Sequence, residues 1–110
     1  MVKKWTMKIL VSMVGVFTYA KVGYPYIILA LVLPLTAYLT GKSWLHMWVL
    51  LILGAVMVIS EMLNYSIERL CNLVEKNYNK DVKVIKDICS GTVLVSAVVL
   101  GVAWVWVMFQ

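Results

Sequence analysis

The sequence predicts an all-α membrane protein in which three transmembrane helices and an N-terminal interfacial helix form one domain, residues 1–110. Its 110 residues are 64% hydrophobic and only 14% charged, and the mean hydropathy is +0.94. A soluble domain of this size buries only about two-thirds of its surface and needs more polar residues to cover the rest. Three long apolar segments match the roughly 20 residues that cross a bilayer as a helix. These observations exclude most soluble enzyme folds.

Residues 5–20, with the sequence WTMKILVSMVGVFTYA, are predicted to form the interfacial helix. The segment is apolar, but a helix of this length extends only about 24 Å, and lysines flank it on both sides. A fourth span is the alternative, and it would place Lys3 and Lys21 on opposite faces of the membrane. No A-x-A-like site follows the segment, so cleavage as a signal peptide is not expected.

The first two spans are predicted over residues 24–39 and 44–60, joined by the short segment 40–43. That segment reads Thr-Gly-Lys-Ser and contains residues that end one helix and cap the next, so it predicts a tight hairpin. No helix-breaking residue follows residue 60. The second helix is therefore expected to continue out of the membrane to about residue 77.

The third span is predicted over residues 88–109, after a polar segment at 61–87 that carries all five acidic residues and half of the ten basic ones. Lysine and arginine near membrane spans are retained on the cytoplasmic side. This rule places both the 61–87 segment and the lysine-rich N-terminus inside, which is consistent because two spans separate them. The net charge of +5 is thus explained by topology, and no nucleic-acid partner is expected.

Two carboxylates and an amide share one face of the second helix where it leaves the membrane. Glu61, Asn64 and Glu68 are spaced i, i+3 and i+7. Carboxylates at such a position favour a functional site, although a solvated helix end is the alternative. Glu61 and Glu68 are about 10 Å apart along the axis, so they should have separate roles. One can act as a base on a lipid hydroxyl, and the other can hold Mg²⁺ with nucleotide phosphates.

The run from Glu61 to Glu68, EMLNYSIE, followed eighteen residues later by Lys86-Asp87, resembles a known signature. It is similar to the E-x-x-N-x-x-I-E and K-D pattern of the prokaryotic diacylglycerol kinase and undecaprenol kinase family, and the likeness covers roughly residues 26–109. The resemblance implies a homotrimer in the bacterial cytoplasmic (inner) membrane. It also implies transfer of phosphate from MgATP to a membrane lipid alcohol, diacylglycerol or undecaprenol. Family members lack a P-loop, and so does this sequence.

The resemblance also implies roles for individual residues. Glu61 would be the general base, with Asn64 as its polar neighbour in the catalytic site. Glu68 would bind Mg²⁺ and, through it, the nucleotide. Lys86 would neutralise phosphate charge, and Asp87 would contact the sugar. The remaining implied positions are three in the nucleotide-binding loop and one at the lipid site: Asn77, Tyr78, Asn79 and Ser90.

The N-terminal part departs from the family pattern. The family carries a further metal-binding glutamate there, and counting back from Glu61 by the usual spacing reaches Ala20, with no acidic residue anywhere before Glu61. Asn72 also stands where an aspartate is common. Three interpretations are open: an active, divergent kinase that holds the metal with Glu68 and phosphates, an inactive relative, or a subunit whose partner supplies the glutamate.

Functions of other classes are also open. Small multi-span transporters can exchange protons for cations through one membrane glutamate, but that glutamate should lie in the middle of a span. Glu61 instead follows seventeen residues of the predicted span, so it lies at a boundary, which favours chemistry at the membrane surface. A structural membrane subunit with solvated carboxylates is the remaining alternative.

Overall fold

The structure, a computed structural model, describes residues 2–75, 77 and 79–110, without the side chain of residue 2. Those residues form three helices, α1 (Val2–Leu39), α2 (Trp44–Val74) and α3 (Lys80–Met108). Each helix is long and apolar enough to cross a membrane. The prediction of an all-α protein with three membrane spans is therefore confirmed.

The predicted segments 5–20 and 24–39 lie on either side of a kink in α1 at Gly23, whose backbone is not helical (φ −95°, ψ 15°). Pro25 explains the kink, because proline lacks the N–H of a helical hydrogen bond and its ring crowds the preceding turn. Residues 3–18 are exposed on every side. The molecule measures 50 × 43 × 22 Å, and 43 Å is wider than three helices packed about 10 Å apart. The N-terminal half of α1 therefore projects sideways, and its place at the membrane surface remains a prediction.

The hairpin between α1 and α2 is formed by residues 40–43, the segment from which it was predicted. The Lys42 N–H donates to the Ala37 carbonyl (3.0 Å), and the Gly41 N–H donates to the Tyr38 carbonyl (3.2 Å). Gly41 has a φ of 77°, so this is the left-handed helix end that glycine favours. Ser43 then caps α2, where its Oγ accepts a hydrogen bond from the His46 N–H.

The polar connection between α2 and α3 is shorter than the charged segment predicted from sequence. α2 ends at Val74 rather than near residue 77, because Glu75 takes an extended conformation. Asn79 caps α3, and its Oδ1 accepts hydrogen bonds from the Asp81 and Val82 N–H groups. α3 thus includes two charged turns before the predicted start of the third span at residue 88.

α2 lies between α1 and α3, which barely contact each other. A Cβ added to Gly54 of α2 would lie 3.0 Å from the Ala30 Cβ of α1, so glycine allows these two helices to approach closely. Trp104 of α3 donates through Nε1 to the Thr36 Oγ1 of α1 (2.9 Å). The thin core consists of six clustered apolar residues: Ala30, Ala37, Leu50, Met57, Leu100 and Val107.

Candidate active site

One pocket brings together three residues that the sequence predicted for catalysis and lipid binding. Glu61 and Asn64 reach it from α2 and Ser90 from α3, and the pocket has a volume of about 280 Å³. Apolar residues of α3 line the side farther from the α2–α3 connection: Val93, Leu94 and Ala97. The pocket is therefore polar toward the charged end of the molecule and apolar toward the membrane interior.

Two polar side chains of this pocket are available for a ligand. Hydroxyl groups on membrane helices commonly donate to a backbone carbonyl three or four residues earlier, as those of Thr92 and Ser96 do here. Neither the Ser90 hydroxyl nor the Asn64 amide makes a hydrogen bond to any residue that the structure describes. Both can therefore bind the headgroup of a molecule that enters beside Glu61.

Tyr26 of α1 completes the pocket and was missed by the sequence reasoning. Its hydroxyl lies close enough to the half-buried Glu61 carboxylate to interact with it. A tyrosine near the end of a span is ordinarily interpreted as an anchor in the membrane interface. Its contact with Glu61 depends on how α1 and α2 pack together, and that register is not visible in either segment alone.

A second pocket of about 380 Å³ lies where α2 leads into α3. Three residues predicted to bind nucleotide line it, namely Asn77, Asn79 and Lys86. Lys86 Nζ donates to Asn72 Oδ1 at 2.6 Å. Asparagine is neutral, and Lys86 forms no ion pair with any residue that the structure describes, so its charge can attract an anion such as a phosphate. The Glu75 carboxylate lines the same pocket and reduces its net positive charge.

Other predicted nucleotide-binding residues lie outside both pockets. Asp87 accepts a hydrogen bond from Lys83 Nζ at 2.8 Å, in an exposed ion pair. The i, i+4 spacing of this pair is a local signal from which it could have been predicted. Glu68 is exposed, on the α2 face that carries Glu61 and Asn64. Tyr78 lies outside the described residues.

The two pockets follow the same side of the α2–α3 pair. On α3, Lys86 of the second pocket precedes Ser90 of the first by one turn, about 6 Å along the axis. On α2, Asn64 and Asn72 are separated by two turns, with Glu68 midway. Glu68 therefore lies at a level between the two pockets along α2, although it lines neither of them.

Within the described part of the chain, no group of three His, Cys, Asp or Glu residues is placed to hold a metal ion. The carboxylate of Glu68 fits Mg²⁺ if phosphate oxygens and water supply the other ligands, which is a common arrangement for this ion. Glu61, about 10 Å away along α2, is too distant to bind the same ion closely.

A larger groove of about 560 Å³ between α2 and α3 has a different character. Its lining is mostly apolar and contains no charged residue, and its Thr92 and Ser96 hydroxyls already donate to backbone carbonyls. The groove therefore offers apolar surface to lipid, and the acid–base groups lie in the smaller pocket.

These features define a small polytopic membrane protein with a carboxylate-bearing site at the charged end of its helices. Residues 16–108, 93 of the 110, match the family described as prokaryotic diacylglycerol kinase, and the chain belongs to this family. The family assignment made from the Glu61 to Glu68 signature is therefore confirmed. No individual curated protein matches the sequence. Membership of a family of lipid kinases supports an enzymatic role for this membrane protein.

Proposed function

We propose that this protein transfers phosphate from ATP to a membrane lipid alcohol, either diacylglycerol or undecaprenol, at the cytoplasmic surface of the bacterial inner membrane. The observation that carries the proposal is the pocket that joins Glu61, Asn64 and Ser90, polar at one end and apolar at the other. It fits an alcohol attached to a long hydrocarbon chain. The second pocket, with Lys86, lies one helical turn away and suits a nucleotide phosphate.

In the proposed reaction, Glu61 accepts the proton of the lipid hydroxyl as its oxygen attacks the γ-phosphorus of ATP. The bond from that phosphorus to the oxygen bridging to the β-phosphate breaks, and ADP leaves. Phosphoryl transfer needs mainly positioning and charge neutralisation from a protein. Asn64 and Ser90 orient the acceptor, and Lys86 neutralises phosphate charge. Glu68 would hold Mg²⁺, which supplies further positive charge when bound.

Asp87 is proposed to contact the nucleotide sugar, and this contact requires the carboxylate to leave Lys83. The exchange is easy, because an exposed ion pair of this kind contributes only about 0.3–0.5 kcal/mol. Asn77, Asn79 and Tyr78 are proposed to contact the rest of the nucleotide. Release of Lys83 would also make a second positive charge available at the same pocket, which Lys83 lines.

A homotrimer is proposed as the active assembly, since one three-helix chain has only shallow pockets. The segment around Ala20 contains no acidic residue, and this observation favours two alternatives. The chain could be an inactive relative of the kinases, or a partner subunit could supply the second metal-binding carboxylate.

The test is phosphate transfer from labelled ATP to diacylglycerol and, separately, to undecaprenol, by purified protein in mixed micelles with Mg²⁺. The proposal predicts a phosphorylated lipid, and the preferred acceptor identifies the substrate. Glu68→Gln should require a higher Mg²⁺ concentration, whereas the matched variant Asp81→Asn, outside both pockets, should behave as wild type. If the folded protein phosphorylates neither lipid, it does not act as a kinase on its own.

A further inference from the structure

The Tyr19 side chain of α1 is buried, with 5% of its surface exposed. Its hydroxyl has no hydrogen-bond partner among the residues that the structure describes. Buried hydroxyl groups are nearly always hydrogen-bonded, because an unpaired one loses its interaction with water without replacement. The Tyr19 hydroxyl is therefore a donor whose acceptor must be sought among the groups around it.

The hydroxyl occupies space that a side chain at position 23 would fill. A Cβ added to Gly23 would collide with Tyr19 Cζ and Oη, so glycine at the kink provides the room for this hydroxyl. The Tyr19 ring also meets Tyr65 of α2 edge-on, with ring centroids 6.0 Å apart. Tyr19 therefore lies between the two helices, and its hydroxyl is directed one turn along α1 toward Gly23.

The direction of the Tyr19 hydroxyl along α1 leads to the level of Glu61 on the neighbouring helix α2. Gly23 follows Tyr19 by four residues, and Glu61 precedes Tyr65 by four residues. Because α1 and α2 run antiparallel, a step of about 6 Å from the Tyr19–Tyr65 contact reaches Gly23 on one helix and Glu61 on the other. The unpaired hydroxyl thus lies at the level of the Glu61 carboxylate.

Glu61 and Tyr26 both lie near the Tyr19 hydroxyl, and the Glu61 carboxylate is the charged acceptor, which forms the stronger hydrogen bond. Tyr26 approaches it from α1, and Glu68 is the neighbouring acid on α2. From α3 the pocket is lined by Ser90 and apolar residues, none of which ionises. A carboxylate has two oxygens and about four acceptor positions, so it can accept from both tyrosines and still receive a proton from a substrate.

We propose that Tyr19 is a positioning residue: after a small movement of the Glu61 side chain, which is not hydrogen-bonded to Tyr19 in the structure, the Tyr19 hydroxyl donates to the carboxylate alongside Tyr26 and holds it toward the acceptor alcohol. The inference rests on the proposed function insofar as Glu61 is the base of a kinase. Glu61 has several rotatable bonds, and a carboxylate that can turn away from the alcohol is a poorer base. Two tyrosine donors from α1 would hold it in one orientation.

The test compares Tyr19→Phe, which removes only the hydroxyl, with Tyr24→Phe, which removes a hydroxyl from an exposed tyrosine of the same helix. Tyr19→Phe should lower kcat about tenfold or more, the range expected for loss of a hydrogen bond to a charged group, while KM for ATP and lipid changes less than about twofold. Tyr24→Phe should match wild type. Gly23→Ala should reproduce the loss of kcat, because its methyl group displaces the hydroxyl.

A second readout does not require turnover. The infrared carboxylate band of Glu61, identified by ¹³C-glutamate labelling and by its disappearance in Glu61→Gln, should shift in Tyr19→Phe and stay unchanged in Tyr24→Phe. If wild type transfers no phosphate, the proposed function fails. The shift of the Glu61 infrared band in Tyr19→Phe still shows whether the Tyr19 hydroxyl is hydrogen-bonded to Glu61. An unshifted band in Tyr19→Phe, with or without wild-type kcat, would overturn the inference.

Discussion

Glu61 lies where the apolar part of α2 gives way to its charged part, and three helices contribute to its surroundings. Tyr26 reaches it from α1, Asn64 lies one turn away on α2, and Ser90 faces the same pocket from α3. A half-buried carboxylate with polar neighbours and an apolar slot beside it is suited to take a proton from an alcohol held at that depth. The proposed chemistry therefore depends on a single side chain whose position is set by packing.

Substitution of Lys86 tests whether the second pocket binds the phosphates of ATP, as proposed. Lys86→Met keeps the aliphatic stem but removes the positive charge, which is hydrogen-bonded to the neutral Asn72. KM for ATP should rise about tenfold to hundredfold, since hydrogen bonds to charged groups are worth roughly 1.5–3 kcal/mol. Steady-state kinetics measures this change.

The control is Lys80→Met, because Lys80 is an exposed residue of α3 that does not line the pocket. Both variants should have the thermal stability of wild type in detergent. An unchanged KM for ATP in Lys86→Met would show that the second pocket is not the phosphate site.

α2 determines how the three helices are arranged, because α1 and α3 both pack on it. Gly54 brings α1 close to α2, and this contact sets the register that places Tyr26 beside Glu61. The kink at Gly23 then turns the N-terminal half of α1 away from the bundle. The candidate active-site pocket, with Glu61 and Tyr26, lies between these two glycine positions.

A bulky residue at Gly54 should separate α1 from α2. Gly54→Leu introduces a side chain against the Ala30 backbone, which already lies 3.0 Å from where a Cβ would be. We expect a loss of about 1–3 kcal/mol from overpacking, seen as a lower Tm in detergent, and a loss of activity because Tyr26 moves.

Gly101→Leu is the matched control, since nothing lies within 4 Å of a Cβ added there. It should leave Tm close to that of wild type. Equal effects of the two substitutions would mean that the close approach of α1 and α2 does not determine the fold.

The helices and the hairpin could be predicted because their signals are local. Apolar runs predict the spans. Gly41, with its positive φ, and Ser43, which caps α2, predict the turn. The grouping of Glu61 with Asn64 follows from helical spacing. Tyr19 and Tyr26 could not be predicted, because their contacts depend on the register between two helices, which is set by side-chain packing far along the chain.

At the scale of the whole molecule, the chain has a thin core and a large apolar surface. Among the residues that the structure describes, only eight hydrophobic ones are buried, whereas most large apolar side chains are exposed. In a membrane, lipid covers such a surface, and other subunits cover part of it in the proposed homotrimer. The sideways N-terminal half of α1 gives the molecule a bent shape that a simple upright bundle lacks.

The membrane arrangement can be tested by labelling single cysteines in a background where Cys71 and Cys89 are replaced by alanine. With a membrane-impermeant maleimide on intact cells, Lys42→Cys should react. Lys3→Cys and Lys21→Cys should react only after permeabilisation, because an interfacial helix keeps both of its ends on the cytoplasmic side. Reaction of Lys3→Cys but not of Lys21→Cys in intact cells would instead establish a fourth span.

The proposed mechanism is tested most directly by measuring ATP binding and lipid phosphorylation side by side for wild type and Glu61→Gln. Because Glu61 lines the pocket with Asn64 and Ser90 and not the pocket with Lys86, we expect unchanged ATP affinity and a loss of phosphate transfer of about 10²-fold or more. Glu61→Gln that phosphorylates lipid at the wild-type rate would contradict the assignment of Glu61 as the base, and with it the proposed mechanism.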